Sequence, residues 1–412
     1  MSMKRLVICC DGTWNRPDTA HVTNIEKIAR TIETDPVDGD PPAQQLVLYL
    51  SGVGTNGYQV DRMLGGALGV GLFENICHAY RFLALNYDPH DEIFVFGFSR
   101  GAYTARSLVG MIGCVGLLTR ESLIDGHLPE AVRRYRRRRP DRRTFHGASD
   151  ERFREVNSHD DVRVRFLGVF DTVGALGVPG AIGRAHQFHD VTLSPQVEHA
   201  RHAVAIDEHR IKFEPALWER SPAGVTDTAG RQRQSVKQVW FEGAHSDVGG
   251  GYADSGLSDT ALEWMVREAK QVGLAFDEDL LSTYLGCGST AVRHESVTLV
   301  YRVLNGLSRL RLALRSQAPG HRHFVGRERV LDYEPGESLL IASSAADHHL
   351  EDASRSTPSD SRAREAYAPG NVTRLAASTD NLRTCTEVVD VRPRRPLRPQ
   401  VPQQATGSVN TT

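Results

Sequence analysis

Gly97-Phe98-Ser99-Arg100-Gly101 fits the pattern G-x-S-x-G, in which two glycines permit a sharp strand-to-helix turn that exposes a serine hydroxyl. The pattern alone is common. Its setting here is more specific, because the apolar run Glu92–Phe96 precedes it and the helical pattern Ala102–Gly110 follows it. A serine hydroxyl is a weak nucleophile unless a base takes its proton and an acid orients that base. When each partner follows a strand of one sheet, the expected order is serine, carboxylate, histidine. Asp171 directly ends the run Phe166–Phe170, and His245 follows Val239–Gly243, so both stand in that order. Ser99, Asp171 and His245 are therefore the candidate nucleophile, acid and base of a serine hydrolase acting through an acyl-enzyme. The backbone N–H of Arg100, next after the serine, is the expected first donor to an oxyanion. Asp11-Gly12-Thr13 is the candidate second wall of that site, with the Gly12 or Thr13 N–H as donor, because glycine lets backbone approach a substrate closely.

Two other readings compete. Asp11, Asp171, His245 and Asp247 are residue types that could ligate a divalent metal, which would make a metal-dependent hydrolase. A non-catalytic lipid- or partner-binding module of the same fold is the second. No cofactor is expected: the chain has no G-x-x-x-x-G-K-[ST] loop, and Gly65–Gly71 has no strand directly before it. No metal is assigned in the preferred reading.

The elements that must position these residues follow a single rhythm. Short apolar runs at Arg5–Cys10, Gln45–Leu50, Glu92–Phe96, Arg163–Phe170 and Ser235–Phe241 each end in small and polar residues. Near-continuous apolar runs are the signature of strands buried on both faces of a parallel sheet. Helical spacing separates them at Asn24–Ile32, Leu72–Leu85 and Asp259–Val272. Alternation of this kind predicts an α/β fold with a doubly wound, mostly parallel sheet and helices on both faces. Ligands of such sheets bind beyond the carboxyl ends of the strands, where every polar cluster falls.

Two segments break the rhythm. An insertion at about 118–161 contains the run Arg133–Arg143, and beyond Phe276 the pattern turns helical and irregular. The expected organisation is a catalytic domain over 1–275, an extension packing on it over 276–390, and a disordered tail over 391–412 that is rich in Pro, Arg and Gln. The chain has 412 residues, an apolar fraction of 40% and a net charge of −2, an ordinary globular composition that argues against a dedicated nucleic-acid binder. That near-neutrality is a cancellation, since Arg133–Arg143 holds eight arginines against one aspartate and leaves the remainder acidic. Transient contact of the insertion with an anionic membrane surface is thus an expectation. The six cysteines are too sparse for a disulfide scaffold, and Cys9 and Cys10 read as buried hydrophobes. The longest apolar stretch, Met111–Leu118, is far short of the ~18 residues of a membrane span. Asp11 comes too early for a secretory signal, so a cytoplasmic protein is expected, with non-classical export left open. Oligomeric state is not legible.

At Cys10–Asn15, Ser51–Thr55, Gly97–Arg106, Val169–Val173 and Gly243–Tyr252 the sequence resembles a family of uncharacterised α/β-hydrolase domains. That family includes the catalytic domain of type VI secretion phospholipase effectors. The resemblance covers roughly Lys4 to Leu274. It implies Ser99 as nucleophile, Asp171 as acid and His245 as base, and it implies hydrolysis of lipid or phospholipid esters.

Overall fold

The apolar runs become the parallel strands β1 (Lys4–Cys10), β2 (Gln44–Leu50), β3 (Glu92–Phe98), β4 (Val164–Phe170) and β6 (Ser235–Phe241). In this computed structural model of the chain the described residues are 3–12, 21–35, 43–52, 66–137, 148–173, 193–210, 213–218, 234–285, 292–296, 324–325, 328–329, 331, 339–346, 371 and 386–391. The periodicity misses β5 (Val197–Ala205), because His199 and Arg201 interrupt its apolar half. Arg201 is tolerated in the core because its Nε donates to Glu268 at 2.5 Å, and Glu268 is also paired with Lys237. Two further strands, β9 (Leu339–Ala342) and β10 (Thr386–Val389), come from the region read as helical and irregular and extend the sheet. Their four-residue length gives periodicity little to work on. A two-stranded antiparallel pair, β7 (Phe324–Val325) and β8 (Glu328–Arg329), stands apart.

The main sheet runs β2-β1-β3-β4-β5-β6-β9-β10, and every neighbouring pair is parallel. The chain winds outward from β1 to β2 in one direction and from β3 onward in the other. The β1/β3 boundary is therefore the switch point, where a doubly wound sheet opens a crevice beyond its carboxyl edge. The register aligns that edge: Cys10 pairs with Leu50 and Gly97, Phe98 with Phe170, Phe170 with Ala203, and Ala205 with Phe241. Residues immediately after these positions share one rim.

Helices cover both faces. On one lie α2 (Gly66–Asn86) and α3 (Arg100–Val115), whose Ile76, Tyr80, Leu83 and Leu108 pack on Leu6, Ile8 and Val95. On the other lie α1 (Asn24–Thr31) and α8 (Gly256–Lys270), whose Ile25, Ile28, Leu262 and Met265 meet Val7, Phe94 and Phe166. Each such fully buried side chain contributes roughly 2 kcal/mol of transfer free energy. Thr23 caps α1 by accepting from the Glu26 N–H, and α8 begins at Gly256, three residues before the expected start at Asp259. Cys9 and Cys10 are buried, and burial pushes the Cys10 thiol up to about 12, as expected of inert core residues.

The insertion supplies α4 (Arg120–Ile124), α5 (Leu128–Arg137) and α6 (Ala148–Asn157). Tyr135 of α5 donates to the Ser107 carbonyl of α3 at 2.9 Å, and the Arg136 guanidinium lies 3.9 Å from the centre of the Phe73 ring of α2. Of the described arginines of the run, Arg136 thus lies against α2, whereas Arg134 pairs with Asp150 of α6 and Arg133 with Glu130 of α5. Arg138–Arg143 and residues 392–412 lie outside the described residues. The remaining short helices are α7 (His245–Gly249) and α9 (Glu278–Tyr284). Among the described residues no helix is long and apolar enough to cross a membrane.

Candidate active site

Ser99 sits in the turn between β3 and α3 with φ 57° and ψ −121°, a conformation that L-residues rarely adopt. The strain is imposed by close packing of backbone on backbone. A Cβ on Gly101 would come within 2.2 Å of the Cys10 carbonyl oxygen, and one on Gly97 within 2.6 Å of the Ala102 Cα. Only glycine at both positions lets α3 start this close to β1 and β3. The Ser99 N–H donates to the Phe170 carbonyl at 3.1 Å, which ties the turn to the end of β4.

The next residue of β4's rim is Asp171, also with positive φ, at 35°. Its N–H donates to the Ala203 carbonyl at 2.7 Å. His245 opens α7, four residues past the end of β6 and beyond the positive-φ Gly243. The three sequence-predicted residues converge. His245 Nε2 lies 2.8 Å from Ser99 Oγ, and its Nδ1 lies 2.6 Å from Asp171 Oδ2. The rings of Phe98 and Phe213 flank the imidazole at 4.7 and 4.9 Å between centroids. All three polar residues are buried in this structure.

Several contributors went unrecognised in the sequence. Arg329, at the end of β8, is fully buried and donates through Nη1 to Asp171 Oδ1 at 2.6 Å and through Nη2 to Oδ2 at 3.0 Å. Glu208 accepts from the His245 N–H at 3.3 Å and from Ser296 Oγ at 2.9 Å, and it is ion-paired with Arg210 at 2.7 Å. Asp207-Glu208 follows the apolar end of β5, so the rule that polar clusters end strands would have found it had β5 been recognised. For Arg329 no local signal exists.

Burial works against the Asp171 charge, but the Arg329 guanidinium and the His245 hydrogen bond outweigh it and hold the carboxyl well below the usual range. Burial lowers His245, and Asp171 only partly restores it, so the imidazole is neutral near pH 7. A neutral ring hydrogen-bonded to a hydroxyl on one side and a carboxylate on the other can accept a proton through Nε2.

Arg100, the expected first donor of an oxyanion site, begins α3 directly after Ser99. On the second wall, the Gly12 N–H donates to Asp11 Oδ1 at 2.6 Å. Asp11 Oδ2 accepts from Thr23 Oγ1 and Tyr49 Oη, each at 2.7 Å. Asp11 is buried and holds its loop to α1 and β2, which differs from the expected substrate contact. Thr13 lies outside the described residues. The four residues of the metal reading do not form one ligand set. Asp11 is engaged as above, Asp171 is clamped by Arg329, and Asp247 accepts from the Ala244 N–H and from His294 Nδ1 at 2.9 and 2.7 Å. Among the described residues no three His, Cys, Asp or Glu side chains are grouped to hold a metal ion.

Two solved structures show distant likeness. One is an uncharacterized protein from Pseudomonas aeruginosa, with TM-score 0.39 and 17% identity over 93% of this chain and 63% of that one. The other is the Tle1 effector bound to the VgrG spike of the type 6 secretion system, with TM-score 0.33 and 21% identity over 62% of this chain and 52% of that one. The chain is 31% identical over 239 residues to the uncharacterized protein YEL023C of Saccharomyces cerevisiae, covering 54% of this chain. The alignment spans only 33% of that relative's length. Residues 4–268 match the family model described as the catalytic domain of Tle1-like phospholipase effectors of the type VI secretion system. The match takes in more than half of the chain and contains Ser99, Asp171 and His245. On that extent, the chain belongs to the family of Tle1-like phospholipase effector catalytic domains.

Proposed function

We propose that this protein is a serine hydrolase that cleaves carboxylic esters of lipids, phospholipids foremost, with Ser99 as nucleophile, His245 as base and Asp171 as the acid that orients it. The observation that carries the proposal is the hydrogen-bonded chain from Ser99 Oγ through both His245 nitrogens to Asp171, at 2.8 and 2.6 Å. Family membership supports lipid as the substrate class.

Ser99 Oγ attacks the acyl carbonyl while its proton passes to His245 Nε2. Asp171 stabilises the imidazolium that forms. The Arg100 N–H, at the positive end of α3, is a donor to the oxyanion. Its partner donor belongs to Gly12 or Thr13, and Gly12 serves only if its N–H turns away from Asp11 Oδ1. Collapse of the tetrahedral species breaks the ester C–O bond, and His245 returns the proton to the departing alcohol. Water then adds to the acyl-enzyme with His245 again as base, releasing a carboxylic acid and restoring Ser99. Docking is a transient contact with the lipid surface.

Phosphatidylcholine and anionic phospholipid vesicles, offered beside a short-chain p-nitrophenyl ester, test the proposal. Wild type is expected to release fatty acid, and Ser99→Ala to lose at least ~10³-fold in rate with an unchanged melting temperature. Turnover by Ser99→Ala at the wild-type rate would contradict it. If that turnover also stopped with a chelator, the metal reading would take its place.

A further inference from the structure

Asp171 accepts four hydrogen bonds. Ala205 N–H and Arg329 Nη1 reach Oδ1 at 2.9 and 2.6 Å; His245 Nδ1 and Arg329 Nη2 reach Oδ2 at 2.6 and 3.0 Å. The carboxylate has no freedom left to rotate, and a planar guanidinium is the one side chain able to span both of its oxygens. Arg329 is itself fixed. Its Nη1 also donates to the Ala205 carbonyl at 2.8 Å and its Nη2 to the Phe213 carbonyl, while Asn371 Nδ2 donates to the Arg329 carbonyl at 3.2 Å. The same Asn371 amide donates to the Ile206 carbonyl, also at 3.2 Å. Arg329 and Asp171 are both fully buried. The clamp comes from residues beyond 268, where the family match ends.

Resting on the reading of Ser99, Asp171 and His245 given above, we propose that Arg329 is a positioning residue of the active site: it locks the Asp171 carboxylate in register with His245 Nδ1 and sets how strongly that carboxylate can support a positive charge on the imidazole. The clamp has a chemical consequence. A carboxylate already paired with a cation stabilises a second cation less, so imidazolium is less favoured with Arg329 present than without it. The other charged and titratable groups facing this pair among the described residues are Glu208 and Arg210 after β5, and His202 within β5. Glu208 and Arg210 form their own ion pair and largely cancel. Burial first and Arg106 second push His202 down to about 3, so it stays neutral. Arg329 is thus the uncancelled charge acting on the Asp171–His245 pair. Its removal should move the loss of base function to higher pH, while a lysine, which keeps the charge and loses the fork, should hold that limb in place.

The rate at which a fluorophosphonate labels Ser99, followed from pH 4.5 to 9 in the full-length chain, reads this without knowledge of the natural substrate. Wild type is expected to lose reactivity only below about 6.5, the ordinary histidine value. Arg329→Gln is expected to label ~10- to 100-fold more slowly on the plateau, from misplacement of Asp171, with its acid limb about one pH unit higher. Arg329→Lys should keep the wild-type limb and recover part of the plateau rate. A purely structural arginine would lower the plateau and melting temperature of both variants and leave the limbs alone, and that outcome overturns the proposal. Should Arg329→Gln fail to fold, the wild-type and Arg329→Lys limbs still decide: either one at pH 7 or above overturns it. Absence of labelling in wild type at every pH defeats the serine reading and this inference with it. A labelled wild type with an unmoved Arg329→Gln limb defeats this inference alone.

Discussion

Ser99 is held on its flank of the cleft by backbone: two glycines and a strained φ within a few residues of sequence, and the Phe170 carbonyl at the end of β4. Asp171 and His245, on the opposite flank, are held by charge: a guanidinium from 158 residues away, the Glu208 carboxylate behind the His245 N–H, and two aromatic rings. Close packing tolerates no added atom but is indifferent to pH. A buried charge cluster accepts small shifts in shape, yet responds to protonation and to loss of either partner. A second cluster, the buried pair of Arg201 on β5 and Glu268 on α8 with the half-exposed Lys237 of β6, supplies a control. It resembles the Asp171–Arg329 pair in chemistry but touches none of the three site residues.

The largest effect is expected of Ser99→Ala, which should cost at least ~10³-fold in turnover, about 4 kcal/mol of barrier, with no loss of stability. Next comes the control cluster. Glu268→Ala strands Arg201 in the core and should lower stability by about 3 kcal/mol or more in urea unfolding, while the acid limb of Ser99 labelling stays at the wild-type pH. If that limb moved as far as the limb of Arg329→Gln, charge near the site would not be specific to Arg329. On the backbone flank, Gly101→Ala puts a methyl against the Cys10 and Asp11 carbonyl oxygens and should cost about 1–3 kcal/mol. Its residual activity should keep an unshifted pH profile, because it disturbs position and not charge. Thr23→Ala is the smallest change. It removes the α1 cap and one donor to Asp11, and should cost about 1 kcal/mol with a modest fall in rate.

The same division explains what the sequence discloses. The Ser99 flank is legible because its causes are local. Glycine spacing, a preceding apolar run and a following helix all fall between Glu92 and Gly110, and each leaves a mark on the string. Asp171 and His245 are legible for a related reason, since each stands where an apolar run stops. Arg329 leaves no such mark. An arginine reads as surface until the carboxylate that neutralises it is known, and that carboxylate is fixed only once β4, β5 and β8 are assembled. β5 is hidden by the same effect, because His199 and Arg201 look like solvent-facing residues until Glu268 of α8 meets Arg201. Asp11 misleads in the opposite sense. It ends a strand like the others, yet Thr23 and Tyr49 saturate it, so its position is that of a site residue and its bonds are those of an anchor.

Everything proposed for this site depends on Ser99 as nucleophile with His245 as its base. Peptide mass mapping after fluorophosphonate treatment at pH 8 tests it most directly. One phosphonyl adduct is expected, on the peptide carrying Ser99 in wild type, with at least ~10³-fold slower adduct formation in folded His245→Ala. An adduct on another residue, or on Ser99 at the same rate without His245, would contradict it.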